Sequence, residues 1–202
     1  MAFFTFLNSS NLSAQSNFKR FIKLTCPEKR WVIFHPFIAK NVYIISLESS
    51  KKAQELKADS TLDGDLNGGQ LDAFRHSYWM ARTTQTFGWR RAHSLGNAHE
   101  KGNYKDFKKH RLEEGSLPDE QSCEMDYLNN DVGIQIGKDN LSANSEELTI
   151  KIKELINSGK LFIIKKNKKG DFLNCNNTVI SNDEITGKWQ TQKCIVSSNT
   201  LN

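Results

Sequence analysis

The stretch "LDAFRHSYWMARTTQTF", residues 71–87, constrains the fold more than any other. Phe74, Tyr78, Met80 and Ala81 have the aromatic and apolar spacing of a buried helix, a Gly pair precedes it and Gly88 closes it. The same helix carries Asp72 and His76 four residues apart on one face, and Trp79 continues that face a turn later. A helix that buries ionisable groups with its aromatics needs neighbours that supply polar partners.

Further along the chain two segments meet that need. "WRRAHSLGNAHEKG" (89–102) reads as a shorter helix ended by Gly102, and a loop rich in charge, Gly and Pro follows over 102–118. "PDEQSCEMDYLNNDVGIQIG" (118–137) opens on Pro and two acids, with a third at Glu124, as a helix N-terminus should. On it Asp126, Asn130, Gly133 and Gly137 form one stripe, and the small residues let another backbone approach, so the stripe is expected to face inward. Helices are also read over 35–57, with Pro36 near the start, and over 145–159. From Lys160 onward short apolar runs alternate with Asn and Gly turns, which predicts a small antiparallel hairpin or meander. The predicted fold class is mainly α: a helical core domain at 17–159 and a small C-terminal antiparallel β appendage, a basic tail, at 160–202.

The chain has 202 residues, 37% of them hydrophobic, enough for one domain with a sizeable core. No stretch approaches the apolar length of a transmembrane segment. The net charge of +5 gathers in "KGNYKDFKKHR" (101–111) and "KLFIIKKNKKG" (160–170). Such runs could meet phosphates or anionic lipid headgroups, and nucleic acid is the lesser expectation. Residues 1–16, "MAFFTFLNSSNLSAQS", have the layout of a secretory signal remnant, with a short apolar core and no preceding Lys or Arg, and read equally as a frayed terminus. The four cysteines, Cys26, Cys123, Cys175 and Cys194, fit no zinc spacing, and Cys175 and Cys194, which flank a short, turn-rich tail, are expected to form a disulfide in an oxidising compartment. The expected location is secreted or periplasmic.

The candidate chemistry sits on the three central helices, which offer His76, His99, Asp126 and Asn130 to a common interior, with Glu100, Asp72 and Arg75 beside them. A His held by Asp is a general base near neutral pH, and two His with carboxylates could instead hold a divalent metal that activates water. There is no H-E-x-x-H, no G-x-S-x-G, no P-loop and no G-x-G-x-x-G opening a helix. His76 and Asp72 could equally be an interior pair satisfied at a helix cap, and Arg75 could merely pair with an acid. His93 and His110 read as surface residues.

"DGDLNGG" (63–69) copies the first half of an EF-hand loop, with Asp63, Asp65 and Asn67 as metal candidates and Gly68 at the sharp turn. The twelfth position is Phe74, so the bidentate acid is missing. The spacing predicts a turn that starts the His76 helix, with any calcium bound loosely and helped by water.

"NGGQLDAFRHSYW", "AHEKGNYKDFKKHRLEEGS" and "EMDYLNNDVGIQIG" together resemble an uncharacterised family of bacterial secreted proteins, whose core pattern is similar to domains at the ends of polymorphic toxins. The likeness covers roughly residues 60–140 and rests on Asp72, Arg75, His76, Trp79, His99, Glu100, Met125, Asp126, Asn129, Asn130 and Gly133. It implies secretion, an antagonistic enzyme and an immunity-type protein partner, and it supplies no reaction. Cys123 stands where a small polar residue belongs, which unsettles any role for Glu124. "DAFRHSYW" also resembles, loosely, the helix of secreted bacterial phospholipases A2, in which a His-Asp sequence lies near a calcium loop; here Ser77 follows His76, so Asp72 or Asp126 must be the partner acid.

The resulting expectation is a hydrolase, toxin-like, acting on a lipid or phosphate-containing envelope substrate. His76 is its base, Asp126 or Asp72 the orienting acid, and Asn130 or Arg75 the stabiliser of developing negative charge. The alternative is a non-catalytic envelope or binding protein in which the same residues form a fixed polar network. A cleft open above His76 and His99 favours the enzyme, and a sealed network favours the binder.

Overall fold

A computed structural model of the chain describes residues 19–112 and 115–200. The 1–16 segment read as a signal remnant lies outside the described residues. Helix α1 runs Cys26–Phe34 and α2 Pro36–Glu55, followed by a 3-10 turn at Leu56–Ala58. Then come α3 (Gln70–Phe87), α4 (Trp89–Lys108), α5 (Glu120–Asp139) and α6 (Ser145–Asn157). Strand β1 (Phe162–Ile164), a one-turn helix α7 (Asn182–Ile185) and strand β2 (Ile195–Ser197) complete the order, so the fold is mainly α with a small antiparallel sheet near its end, as the patterning predicts.

Helix α3 is the central element because both apolar clusters use it. Leu71, Phe74, Tyr78 and Ala81 pack with Ile136 and with Leu148, Ile152 and Ile156 of α6. On the other side Met80 joins Trp31, Val42, Ala92, Leu95 and Ile134. Helix α5 crosses α3 at very short range: a Cβ on Gly133 would lie 2.4 Å from the Ser77 carbonyl oxygen, and one on Gly137 would lie 2.6 Å from that of Ala81. This contact turns the Asp126, Asn130, Gly133 stripe inward, as expected.

Two elements differ from the reading of the sequence. Helix α4 does not stop at Gly102 but continues to Lys108. Gly102 is there for room: a Cβ on it would meet the Thr25 hydroxyl at 2.5 Å, so the start of α1 sits directly on α4. Helix α1 has no counterpart among the expected elements. Thr25 and Glu28 cap it reciprocally, and Pro27 lies in its first turn, which is enough to start a nine-residue helix.

The β element is bound to the helical core. Phe162 pairs with Ser197 and Ile164 with Ile195. Asn129 of α5 bonds both backbone groups of Phe162, donating to its carbonyl and accepting from its N–H, each at 2.9 Å. Ile164 N–H donates to the Gly68 carbonyl at 2.7 Å. Cys175 and Cys194 form the expected disulfide, and Cys26 and Cys123 lie outside it. No described helix is long and apolar enough to cross a membrane.

Candidate functional site

The turn at 63–69 is built by its own side chains. Asp63 accepts from the N–H groups of Asp65 and Gln70, Asp65 accepts from that of Asn67, and Gly64 and Gly68 take the left-handed φ values, 72° and 78°, that the bends require. The Lys166 ammonium lies on the other Asp65 oxygen, and the Asn67 amide donates to Ser116. Burial pushes the Asp63 carboxyl above its ordinary value, with the Gln70 and Asp65 amides opposing. These oxygens thus start α3 as a turn does.

At the third residue of α3, the site proper begins. Asp72 Oδ2 accepts from Gly68 N–H at 2.7 Å, and its Oδ1 accepts from Arg75 Nη2 at 2.5 Å. The same Nη2 lies 2.9 Å from His76 Nε2. On the far side of the ring, His76 Nδ1 lies 3.3 Å from Asn130 Oδ1, Asn130 Nδ2 donates to Glu100 Oε1 at 3.3 Å, and Asn103 Nδ2 donates to Glu100 Oε2 at 3.1 Å. Gly96 makes this possible, since a Cβ there would press on the Asn130 amide at 3.2 Å.

This chain of bonds fixes the tautomer. The Asn130 NH₂ must face the Glu100 carboxylate, so its oxygen faces His76 and takes the Nδ1–H. His76 Nε2 therefore carries the lone pair and accepts from Arg75. Asp126 Oδ1 stands 3.4 Å and Asp72 Oδ1 3.7 Å from that nitrogen. His76 is 2% exposed and both aspartates 6%. Both acids flank the imidazole as the spacing predicts, but the nearest group to its basic nitrogen is a guanidinium. Burial, then the charge of Glu100, raises the nearby Tyr127 phenol to about 12.

His99 does not join this interior network. It turns toward α1, where its Nδ1 lies 3.1 Å from Glu28 Oε1. Glu28 in turn accepts from the Thr25 N–H at 2.8 Å and hydroxyl at 2.7 Å. Burial alone would raise the Glu28 carboxyl; His99 and the Thr25 bonds outweigh it and hold the group below its ordinary value. The Trp79 ring meets His99 edge-on at 5.3 Å, and the two imidazoles are 6.1 Å apart.

Two cavities meet at this layer. An apolar groove of about 770 Å³ lies between α1, α2, α3 and α4, walled by Trp31, Tyr43, Leu47, Trp79 and Leu95, with His76, His99, Glu28 and Arg75 among its lining groups. Its rim is open, with Ile44 and Leu47 each 51% exposed. A polar cavity of about 470 Å³ reaches Asp72, Asp126 and Arg75 from the opposite side, past Ser122 and the Lys193–Asp119 pair. Arg75 lines both.

The structure brings His76, Asp72, Asp126, Asn130, Arg75 and Glu100 together as helix position and spacing predict, whereas His99, expected in the same interior, turns to Glu28. Position and spacing miss Glu28, whose partner is 71 residues away, and Asn103, whose bond to Glu100 is local and at helical spacing. Asn129 anchors β1, and His93 and His110 are exposed.

The chemistry of such a layer defines a class only broadly, a polar helical centre between two cavities. Residues 29–160, well over half of the chain, match the model of the family described as Domain of unknown function (DUF6973), and the chain belongs to that family. Every site residue named from the sequence lies inside the match, whereas Glu28 lies just before its start. Comparisons with curated proteins and with solved structures give no match.

Proposed function

We propose that this protein is a secreted or periplasmic hydrolase that cleaves an acyl ester of an anionic envelope lipid. The observation that carries the reading is the His99–Glu28 pair set in the lining of an apolar groove beside Arg75. Glu28 takes the Nδ1 proton, which makes Nε2 the nitrogen that receives one. In the proposed reaction His99 removes a proton from water, and the hydroxide oxygen bonds to the ester carbonyl carbon. The carbon–oxygen bond to the leaving alcohol then breaks, and that oxygen takes the proton back from His99. The Arg75 guanidinium, gripped by Asp72 and His76, stabilises the oxyanion, and the groove holds the acyl chain. His76, whose lone pair already accepts from Arg75, positions the guanidinium and leaves the base role to His99. Export agrees with the Cys175–Cys194 disulfide. A toxin-type role, with an immunity-type partner, belongs to this proposal through the resemblance of the three sequence blocks.

The closed hydrogen-bond chain at His76 also suits the second reading, a binding protein that seats a lipid without turnover. One assay separates the two: release of fatty acid from phosphatidylglycerol vesicles by the full chain and by His99→Ala, with circular dichroism to verify folding. The hydrolase reading expects release by the wild type and a loss of about 10²–10⁴-fold in the variant. Vesicle binding with no fatty acid released sinks it.

A further inference from the structure

The cluster around His76 gathers ligand-type side chains from two helices. Asp72, Glu100 and Asp126 are all buried around His76, and the Arg75 guanidinium lies between Asp72 and the ring. Asp72, His76 and Asp126 each offer one ligand atom, and these atoms all lie within 4.8 Å of one another. Ligands held about 2.1 Å from an ion stand roughly 3.0–3.5 Å apart. The His76–Asp126 separation of 3.4 Å already has that value, and the His76–Asp72 separation of 3.7 Å is close to it.

The surroundings are those of a ligand set. The Asn130 oxygen holds the Nδ1–H of His76, which leaves the Nε2 lone pair on Arg75 with the Asp126 and Asp72 oxygens beside it, and Gly68 N–H orients Asp72. A metal-bound histidine needs such an outer partner on its other ring nitrogen. The polar cavity of about 470 Å³ gives an ion and its waters a way in. We infer that Asp72, His76 and Asp126 form a divalent-cation site, and that Arg75 is its internal stand-in, leaving the pincer of Asp72 and His76 when the ion enters. Three protein ligands with an open side are the pattern of a catalytic metal. One imidazole and two carboxylates suit a first-row divalent ion such as Mn²⁺ or Zn²⁺ better than calcium, which takes oxygen ligands alone. The inference rests on the hydrolase reading only for the ion's task, which is to share with Arg75, still in the groove lining after its release, the stabilisation of the oxyanion.

The test is calorimetric titration of Mn²⁺ into the chelator-treated full chain. Expected are one saturable ion per chain, binding at least tenfold weaker in Asp126→Asn, and binding several-fold tighter in Arg75→Met, where no guanidinium competes. Paramagnetic broadening in the wild type locates the ion without any variant. Broadening centred on the His76 ring supports the site; broadening at Asp63 to Asn67, or no saturable binding, overturns it. The two readings fail separately: Mn²⁺ bound at His76 without lipid hydrolysis removes the enzyme and keeps the site, while full hydrolysis in excess chelator removes the site's proposed task and keeps the enzyme.

Discussion

Glu28 closes the capping box of α1 and, from the same carboxylate, holds the His99 ring. Because its folded-state carboxyl sits below the value of 4.5 that an unfolded chain would show, its contribution to stability is complete above that pH and fades as pH falls through the lower folded value. Melting temperature should therefore drop as pH is lowered below about 4.5, and Glu28→Gln should flatten this drop. An identical acid limb in wild type and variant would remove Glu28 from the account. At this scale the sequence was readable where partners lie within one helix, as with Asp72, Arg75 and His76. It was silent on Glu28, because no helical period connects residue 28 to residue 99.

Helices α3 and α5 owe their close crossing to Gly133 and Gly137. Alanine at 133 would drive its Cβ to 2.4 Å from the Ser77 carbonyl oxygen and 2.7 Å from its Cα, and these are backbone atoms that cannot rotate away. Gly133→Ala is expected to destabilise by about 1–3 kcal/mol or more, through forced separation of the helices. A chain of this size should then melt roughly 2–4 °C lower for each kcal/mol, measured by thermal denaturation. An unchanged melting temperature would mean that the crossing is looser. The stripe was legible because small residues at 133 and 137 recur at helical spacing beside Asp126 and Asn130. The end of α4 was misread because Gly102 looks the same in sequence whether it stops a helix or admits a neighbour, and only the Thr25 contact tells which.

Across the whole molecule, the site is held between a helical core and a strand pair that share backbone bonds. Asn129 clamps Phe162 while the adjacent Asn130 holds His76, so the "NN" pair joins tail and centre. Replacing both Cys175 and Cys194 by Ser releases a loop closed across 19 positions and should cost about 3 kcal/mol. Urea denaturation should show this as a lower midpoint of the single main transition, because the tail unfolds with the core. A separate early step with the main midpoint unmoved would make the tail an independent unit. The proposed reaction draws on four helices, since α1 supplies Glu28, α4 His99, α3 Arg75, and α2 the groove wall. The most direct measurement is the pH dependence of fatty-acid release from phosphatidylglycerol vesicles by wild type and Glu28→Gln. The account predicts a fall in kcat of about 10²-fold with KM little changed. It also predicts that the acid limb of the profile shifts to lower pH, because an imidazole that loses its carboxylate gives up its proton more readily. Release by Glu28→Gln at the wild-type rate with an unmoved limb, or no release by the wild type at any pH, would contradict it.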